Sequence, residues 1–279
     1  MSRILVPIDH SHVAESAANY AVQLASVIDA EITLIHVINA SLSAVDNYFI
    51  DSIDEVFNVS NKKLQQFADE LAEKFNNKVA IQIEVKFGVP GFAIADYANA
   101  NKVDYIVTGM RDRHNLIERL LGTTSTIITK MAQCPVLLIH ENTYWRRPEK
   151  VIFTLDDSSD FDESIHKYLV FNKTFSAKTD FIHIRSEDEA TQSPSNVVLQ
   201  EMFMEKVPEF AFEIKTIYGG DIVQSIVDYS IFEKADLLVM VHRKRSILDG
   251  FFNKSLTLKT AEGFHLPIMV LEENIILDK

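Results

Sequence analysis

Cysteine occurs once, at Cys134. No internal disulfide can close and no cysteine-rich zinc site can be built, which suits a reducing cytoplasm. Glycine is also scarce: there are 8, and the first is Gly88. A dinucleotide-binding sheet needs G-x-G-x-x-G directly after its first strand, so a dehydrogenase of that kind is excluded. Asn253-Lys254-Ser255 looks like the tail of a P-loop but lacks both of its glycines, which excludes a P-loop NTPase. No apolar run approaches the roughly 18 residues needed to cross a bilayer. Met1-Ser2-Arg3 leads into a strand pattern rather than a signal peptide, so we expect neither a membrane span nor secretion. Basic residues are outnumbered, with 27 Lys and Arg against 40 Asp and Glu, and the net charge of −13 leaves no broad footprint for nucleic acid.

What is present is ordinary globular material, 47% hydrophobic and 24% charged, in a chain of 279 residues, enough for two domains. The chain repeats itself. Arg3-Ile4-Leu5-Val6-Pro7-Ile8-Asp9 matches Lys150-Val151-Ile152-Phe153-Thr154-Leu155-Asp156 at an offset of 147, and the same offset lays Ile32 to Val37 over Thr179 to Ile184 with His36 on His183. Further on, Val103 to Val107 matches Ala235 to Val239, and Cys134 to Ile139 matches Leu266 to Leu271, both at an offset of 132. One domain-sized unit is used twice. The predicted domains are 1–143 and 149–279, joined by a polar stretch containing Arg146-Arg147-Pro148.

Short apolar runs alternate with helical periods, the pattern of an α/β fold with a parallel sheet flanked by helices. In the first unit this predicts strands at 3–8, 31–38, 80–87, 105–109 and 136–140, and helices at 13–28, 51–75, 91–99 and 123–131. In the second it predicts helices near 195–206, cut by Pro208, and near 221–233. Ligands of such sheets bind beyond the carboxyl ends of the strands. The loop after the fourth strand, Gly109 through Leu116, is basic and polar, and Gly122-Thr123-Thr124-Ser125 then opens a helix. Free N–H groups and hydroxyls at a helix start suit a phosphate; equally, Gly122 can be a turn and Thr123 an N-cap.

Val6-Pro7-Ile8-Asp9, His36-Val37, the loop from Gly109 to Thr124, and Cys134-Pro135-Val136-Leu137-Leu138 together make the chain resemble a tandem universal stress protein. Gly109, position 112 and Gly122-Thr123 reproduce the glycine spacing of the family's ATP-binding members, except that position 112 is Asp. The resemblance implies two Rossmann-like domains of the adenine nucleotide alpha hydrolase-like kind, each a five-stranded parallel sheet. These would pack as an intrachain pseudo-dimer through their last strands, with a homodimer of chains left open. It implies a stress-response regulator with protein partners, not a dedicated enzyme and at most a slow ATPase, whose ligand is ATP or another adenine nucleotide. Asp9 would contact adenine or ribose, and Pro7, Ile8 and Val37 would wall the base. Gly109, Met110, Arg111, Gly122, Thr123, Thr124 and Ser125 would line the phosphate path. Asp112 puts a carboxylate where a polyphosphate should lie, between Arg111 and Arg113, so the site is expected to be weakened for ATP.

In the second unit Val241 replaces Gly109 and Phe252-Asn253-Lys254-Ser255 replaces the Leu-Gly-Thr-Thr segment, so its ATP site is expected to be lost. Arg243, Lys244, Arg245 and Lys254 near Ser255 remain a candidate site for a different anion. A scaffold acting through protein contacts alone is the alternative function. Asp9-His10-Ser11-His12 and the acidic run from Asp156 to Glu163 read as helix starts, and no metal site is assigned. His36 and His183 read as hydrogen-bonded packing residues at strand ends.

Overall fold

A computed structural model describes residues 1–39, 53–110, 123–141, 143–155, 162–185, 210–242 and 266–272. They divide into two compact units, the first ending at Trp145 and the second beginning at Arg146. The predicted second-unit helix near 195–206 lies outside the described residues. Among the described residues no helix is long and apolar enough to cross a membrane.

The first unit runs β1 (Ser2–Pro7), α1 (His12–Ile28), β2 (Ala30–Ile38), α2 (Ile53–Lys74), β3 (Ile81–Phe87), α3 (Pro90–Ala100), β4 (Tyr105–Met110), α4 (Thr123–Met131) and β5 (Val136–His140). Its strands lie in the order β3-β2-β1-β4-β5 and every pairing is parallel. Strands β1, β4 and β5 are buried on both faces and read as continuous apolar runs, whereas in the edge strand β3 apolar residues alternate with polar Gln82, Glu84 and Lys86. Helix α1 packs on β1, β4 and β5 through Ala14, Ala17, Ala18, Ala21 and Ala25. Small side chains at helical spacing let its backbone come close to the sheet. It starts at Ser11, whose side chain accepts from the Ala14 N–H, and ends at Asp29 in the left-handed region at φ 53°. Helix α2 buries only Leu64, Ala68 and Leu71, a narrow stripe at i, i+4 and i+7.

The second unit runs β6 (Lys150–Leu155), α5 (Asp162–Asn172), β7 (Lys178–Arg185), β8 (Phe212–Tyr218), α6 (Ile222–Phe232), β9 (Leu237–His242) and β10 (Ile268–Glu272). Its strand order, β8-β7-β6-β9-β10, is the first unit's order over again, and its pairings are also parallel. The polar frame repeats as well. The backbone N–H of Arg3 donates to Asp104 Oδ2 at 2.8 Å, and that of Lys150 donates to Asp236 Oδ2 at 2.9 Å. The core chemistry differs. Where the first unit has Val6, Ala21 and Leu34, the second has Phe153, Tyr168 and Phe181, with ring centroids 5.3 Å apart for Phe153 and Tyr168 and 5.2 Å for Phe153 and Phe181. Tyr168 is buried, so its hydroxyl needs a partner, and it pairs with Thr179 Oγ1 at 2.6 Å.

Candidate functional site

In the order β3-β2-β1-β4-β5 the chain reverses direction across the sheet between β1 and β4, and the crevice beyond their carboxyl ends is where such sheets take ligands. On the β1 side, Pro7 and Ile8 are buried and the Ile8 N–H bonds to Ile35 O at 2.8 Å, carrying the pairing with β2 one residue past the strand. Asp9 is exposed at the turn, and its Oδ1 accepts from the Ser11 N–H at 3.0 Å and from Ser11 Oγ at 2.5 Å. Ser11 Oγ in turn accepts from Ala14 N at 3.3 Å. Asp9 thus orders the turn that starts α1. Val37 is half-buried near the end of β2.

On the β4 side, a Cβ added to Gly109 would fall 2.4 Å from Val13 Cγ1 and 2.9 Å from the Val13 carbonyl oxygen. That glycine is required by the first turn of α1, whatever ligand the crevice takes. The contact also joins the two walls: the helix capped through Ser11 and Asp9 rests by Val13 on Gly109. Ser125, expected on the phosphate path, is buried and its Oγ donates to Gly109 O at 3.0 Å, which ties α4 to β4. The Met110 side chain is likewise buried, leaving its backbone as the part that can reach the crevice. Thr124 is half-buried at the start of α4. Arg111, Asp112, Gly122 and the side chain of Thr123 lie outside the described residues, as do Asp156, Arg243, Lys244, Arg245, Lys254 and Ser255 of the second unit.

The four-residue run Asp9 to His12 does not converge. The His12 side chain is 89% exposed and lies 3.9 Å from Glu15. Among the described residues no group of three or more His, Cys, Asp or Glu side chains is placed to hold a metal ion.

Sequence reasoning missed the company His10 keeps. Its backbone is left-handed at φ 61° and its ring lies 5.3 Å from that of His36, tilted by 40°. Phe67 of α2 meets it edge-on at 6.4 Å. His36 Nδ1 donates to Ile8 O at 2.7 Å, which fixes its ring, as expected of a packing histidine. Burial, then His36 and Lys63, lower the His10 pKa from its ordinary value of 6.5, and Asp9 opposes them. His36 following a β-rich run and His10 following Asp9 were both visible in the sequence; only the parallel register of β1 on β2 brings them together.

The profile of the universal stress protein family matches residues 1–140. Universal stress protein MJ0531 of Methanocaldococcus jannaschii is 31% identical over 141 residues, covering 49% of this chain and 81% of that protein. Universal stress protein YxiE of Bacillus subtilis is 32% identical over 150 residues, covering 50% of this chain and 98% of that protein. Among solved structures, a universal stress protein from Archaeoglobus fulgidus covers 98% of both chains with a TM-score of 0.71 at 17% identity, a likeness of fold across both halves.

Proposed function

The chain belongs to the universal stress protein family, and from that premise we propose that its first unit is an adenine-nucleotide-binding regulatory module whose occupancy is read by protein partners in the cytoplasm. The observation that carries this reading is the coupling of the two crevice walls, in which the Asp9 turn caps α1 and α1 rests by Val13 on Gly109. A ligand touching Asp9 and the β4 end presses on one mechanical unit, so its presence is felt in the seating of α1 on β1, β4 and β5. In this reading Pro7, Ile8 and Val37 wall the base and Asp9 meets base or ribose. The backbone of Gly109 and Met110, with Arg111, Gly122, Thr123 and Thr124, holds the phosphates. Asp112 weakens the hold on a triphosphate by like-charge repulsion. The second unit lacks these glycines and serves as a companion domain; an anion at Arg243, Arg245, Lys254 and Ser255 is a secondary assignment. Binding with no turnover, or slow hydrolysis only, is the expected behaviour.

Native mass spectrometry of freshly purified protein, followed by calorimetric titration of ATP, ADP and AMP into wild type and Asp112→Gly, tests this. One nucleotide per chain, lost in Gly122→Arg, supports the module. Binding that appears only in Asp112→Gly replaces it with a scaffold on a decayed pocket.

A further inference from the structure

We propose that His10 is a base-contacting residue of the first unit's site, its imidazole forming with His36 and Phe67 an aromatic wall on which the planar ring of a nucleobase stacks. The inference rests on the nucleotide reading above and adds a residue to it.

The backbone is the first ground. Asp29, Asn76, Lys102 and Lys234, which also have positive φ, follow helices, where a left-handed residue closes the last turn. His10 at φ 61° instead precedes a helix, directly after the strand that ends at the crevice. His is one of the residue types that enter this region, and residues held there cluster at functional sites. Asp9 and Ser11 on either side hold the turn through their mutual hydrogen bonds, so the backbone that carries the His10 ring is fixed.

The ring's surroundings are the second ground. His10 is exposed, yet on one side it is backed by His36, 5.3 Å away, and on another by the edge of Phe67, 6.4 Å away. His36 is itself tied to the Ile8 carbonyl, so the ring behind His10 is held in place. An aromatic ring that is supported behind and open in front is what base stacking needs, and stacking is tolerant of the base's hydrogen-bonding pattern. Burial first, then His36 from β2 and Lys63 from α2, disfavour a proton on His10, and Asp9 of its own turn favours one. The imidazole therefore stays neutral near pH 7 and offers a π face rather than a charge.

The test is calorimetric titration of ATP and of tripolyphosphate into the full chain as wild type, His10→Asn and His10→Phe. Asparagine tolerates the left-handed backbone while removing the ring. ATP is expected to bind about tenfold more weakly to His10→Asn and within about twofold of wild type to His10→Phe, with tripolyphosphate binding equal in all three. In wild type, the His10 Cε1 proton resonance is expected to move upfield on ATP addition, a ring-current readout that needs no variant. Unchanged ATP affinity in His10→Asn, a loss shared equally by tripolyphosphate, or no upfield shift overturns the role of His10 while leaving the nucleotide reading intact. Failure of wild type to bind any adenine nucleotide overturns both.

Discussion

Thr33 and Asp180 occupy the same place in the second strand of the two units, and around them the units part ways. Asp180 is fully buried, and its Oδ2 receives Lys150 Nζ at 2.7 Å, Lys215 Nζ at 2.8 Å and the Tyr229 hydroxyl at 2.7 Å. Glu233 lies 3.4 Å from Lys150 and 3.6 Å from Lys215, and Glu213 pairs with Lys178 and, at 3.1 Å, with Lys215. In the first unit Arg3 stands for Lys150 and donates to the Asn101 carbonyl at 2.7 Å, while Lys86 lies 5.3 Å over the Tyr97 ring and 3.4 Å from Glu84. One unit thus anchors the amino ends of its strands with a buried carboxylate and the other does so without one. The crevice end differs in the opposite sense: the first unit has Gly109 under α1, and the second has Val241 at that position. The same sheet order supports both, so the specialisation of each half is a matter of side chains at its two ends.

The largest expected break in this comparison is Asp180→Ala. It takes away the buried oxygen on which Lys150, Lys215 and the Tyr229 hydroxyl meet, and because Glu233 stays beside both lysines the loss falls at the low end of the roughly 3–5 kcal/mol that breaking a buried pair costs. Thr33→Ala in the first unit is expected to cost no more than about 1 kcal/mol. Urea unfolding of both variants measures the contrast, and equal losses would erase it. Next in size is Gly109→Ala, where the new methyl meets both a Val13 methyl and the Val13 carbonyl. Overpacking of this kind costs about 1–3 kcal/mol. Adding Val13→Ala should recover only part of it, because the carbonyl remains, and the double-mutant cycle reads the coupling directly.

Acidity sharpens the comparison further. Burial alone would raise the Asp180 pKa, but the bonds from Lys150, Lys215 and Tyr229 outweigh it and hold the group below its ordinary value of 3.8. A carboxylate depressed in the folded state stabilises fully above the unfolded value and loses that contribution as the pH falls through the folded one. The stability gap between wild type and Asp180→Asn should therefore be widest near neutrality and close as the pH falls below about 3.8, followed by denaturant titration at each pH. A gap that stays constant to pH 2 would detach Asp180's charge from the stability of its unit. The smallest expected effect is Ser11→Ala, a lost N-cap worth about 1 kcal/mol. If the two walls act as one piece, that loss should shrink in the presence of saturating nucleotide.

The elements were legible because they are written locally. The alanine spacing from Ala14 to Ala25 and the apolar runs at 105–109 and 136–140 can only be satisfied by a helix and strands buried on both faces, and the strands lie at Tyr105–Met110 and Val136–His140. The repeat at offsets of 147 and 132 made the second unit readable from the first. What stayed hidden depends on register. Lys150, Asp180, Lys215 and Tyr229 are spread over three strands and a helix, and their meeting on one oxygen follows from pairing Ile152 with Asp180 and Ile182 with Lys215. The hydrogen bond from Ser125 to the Gly109 carbonyl and the seating of Val13 on Gly109 stayed hidden for the same reason. A hydroxyl near a helix start looks the same in sequence whether it faces a phosphate or the backbone of the strand beneath it.

The hydrogen bond from the Arg3 backbone to Asp104 joins residues 101 positions apart, and β1 meets β4 only when that loop is closed. Closing a loop of that length carries an entropic cost that slows folding. A nascent chain that has reached only β3 already carries Asp9, His10 and Val37, but it has no second wall and so no crevice. β4 therefore completes the crevice in one step, before the second unit's first strand at Lys150–Leu155 has been made.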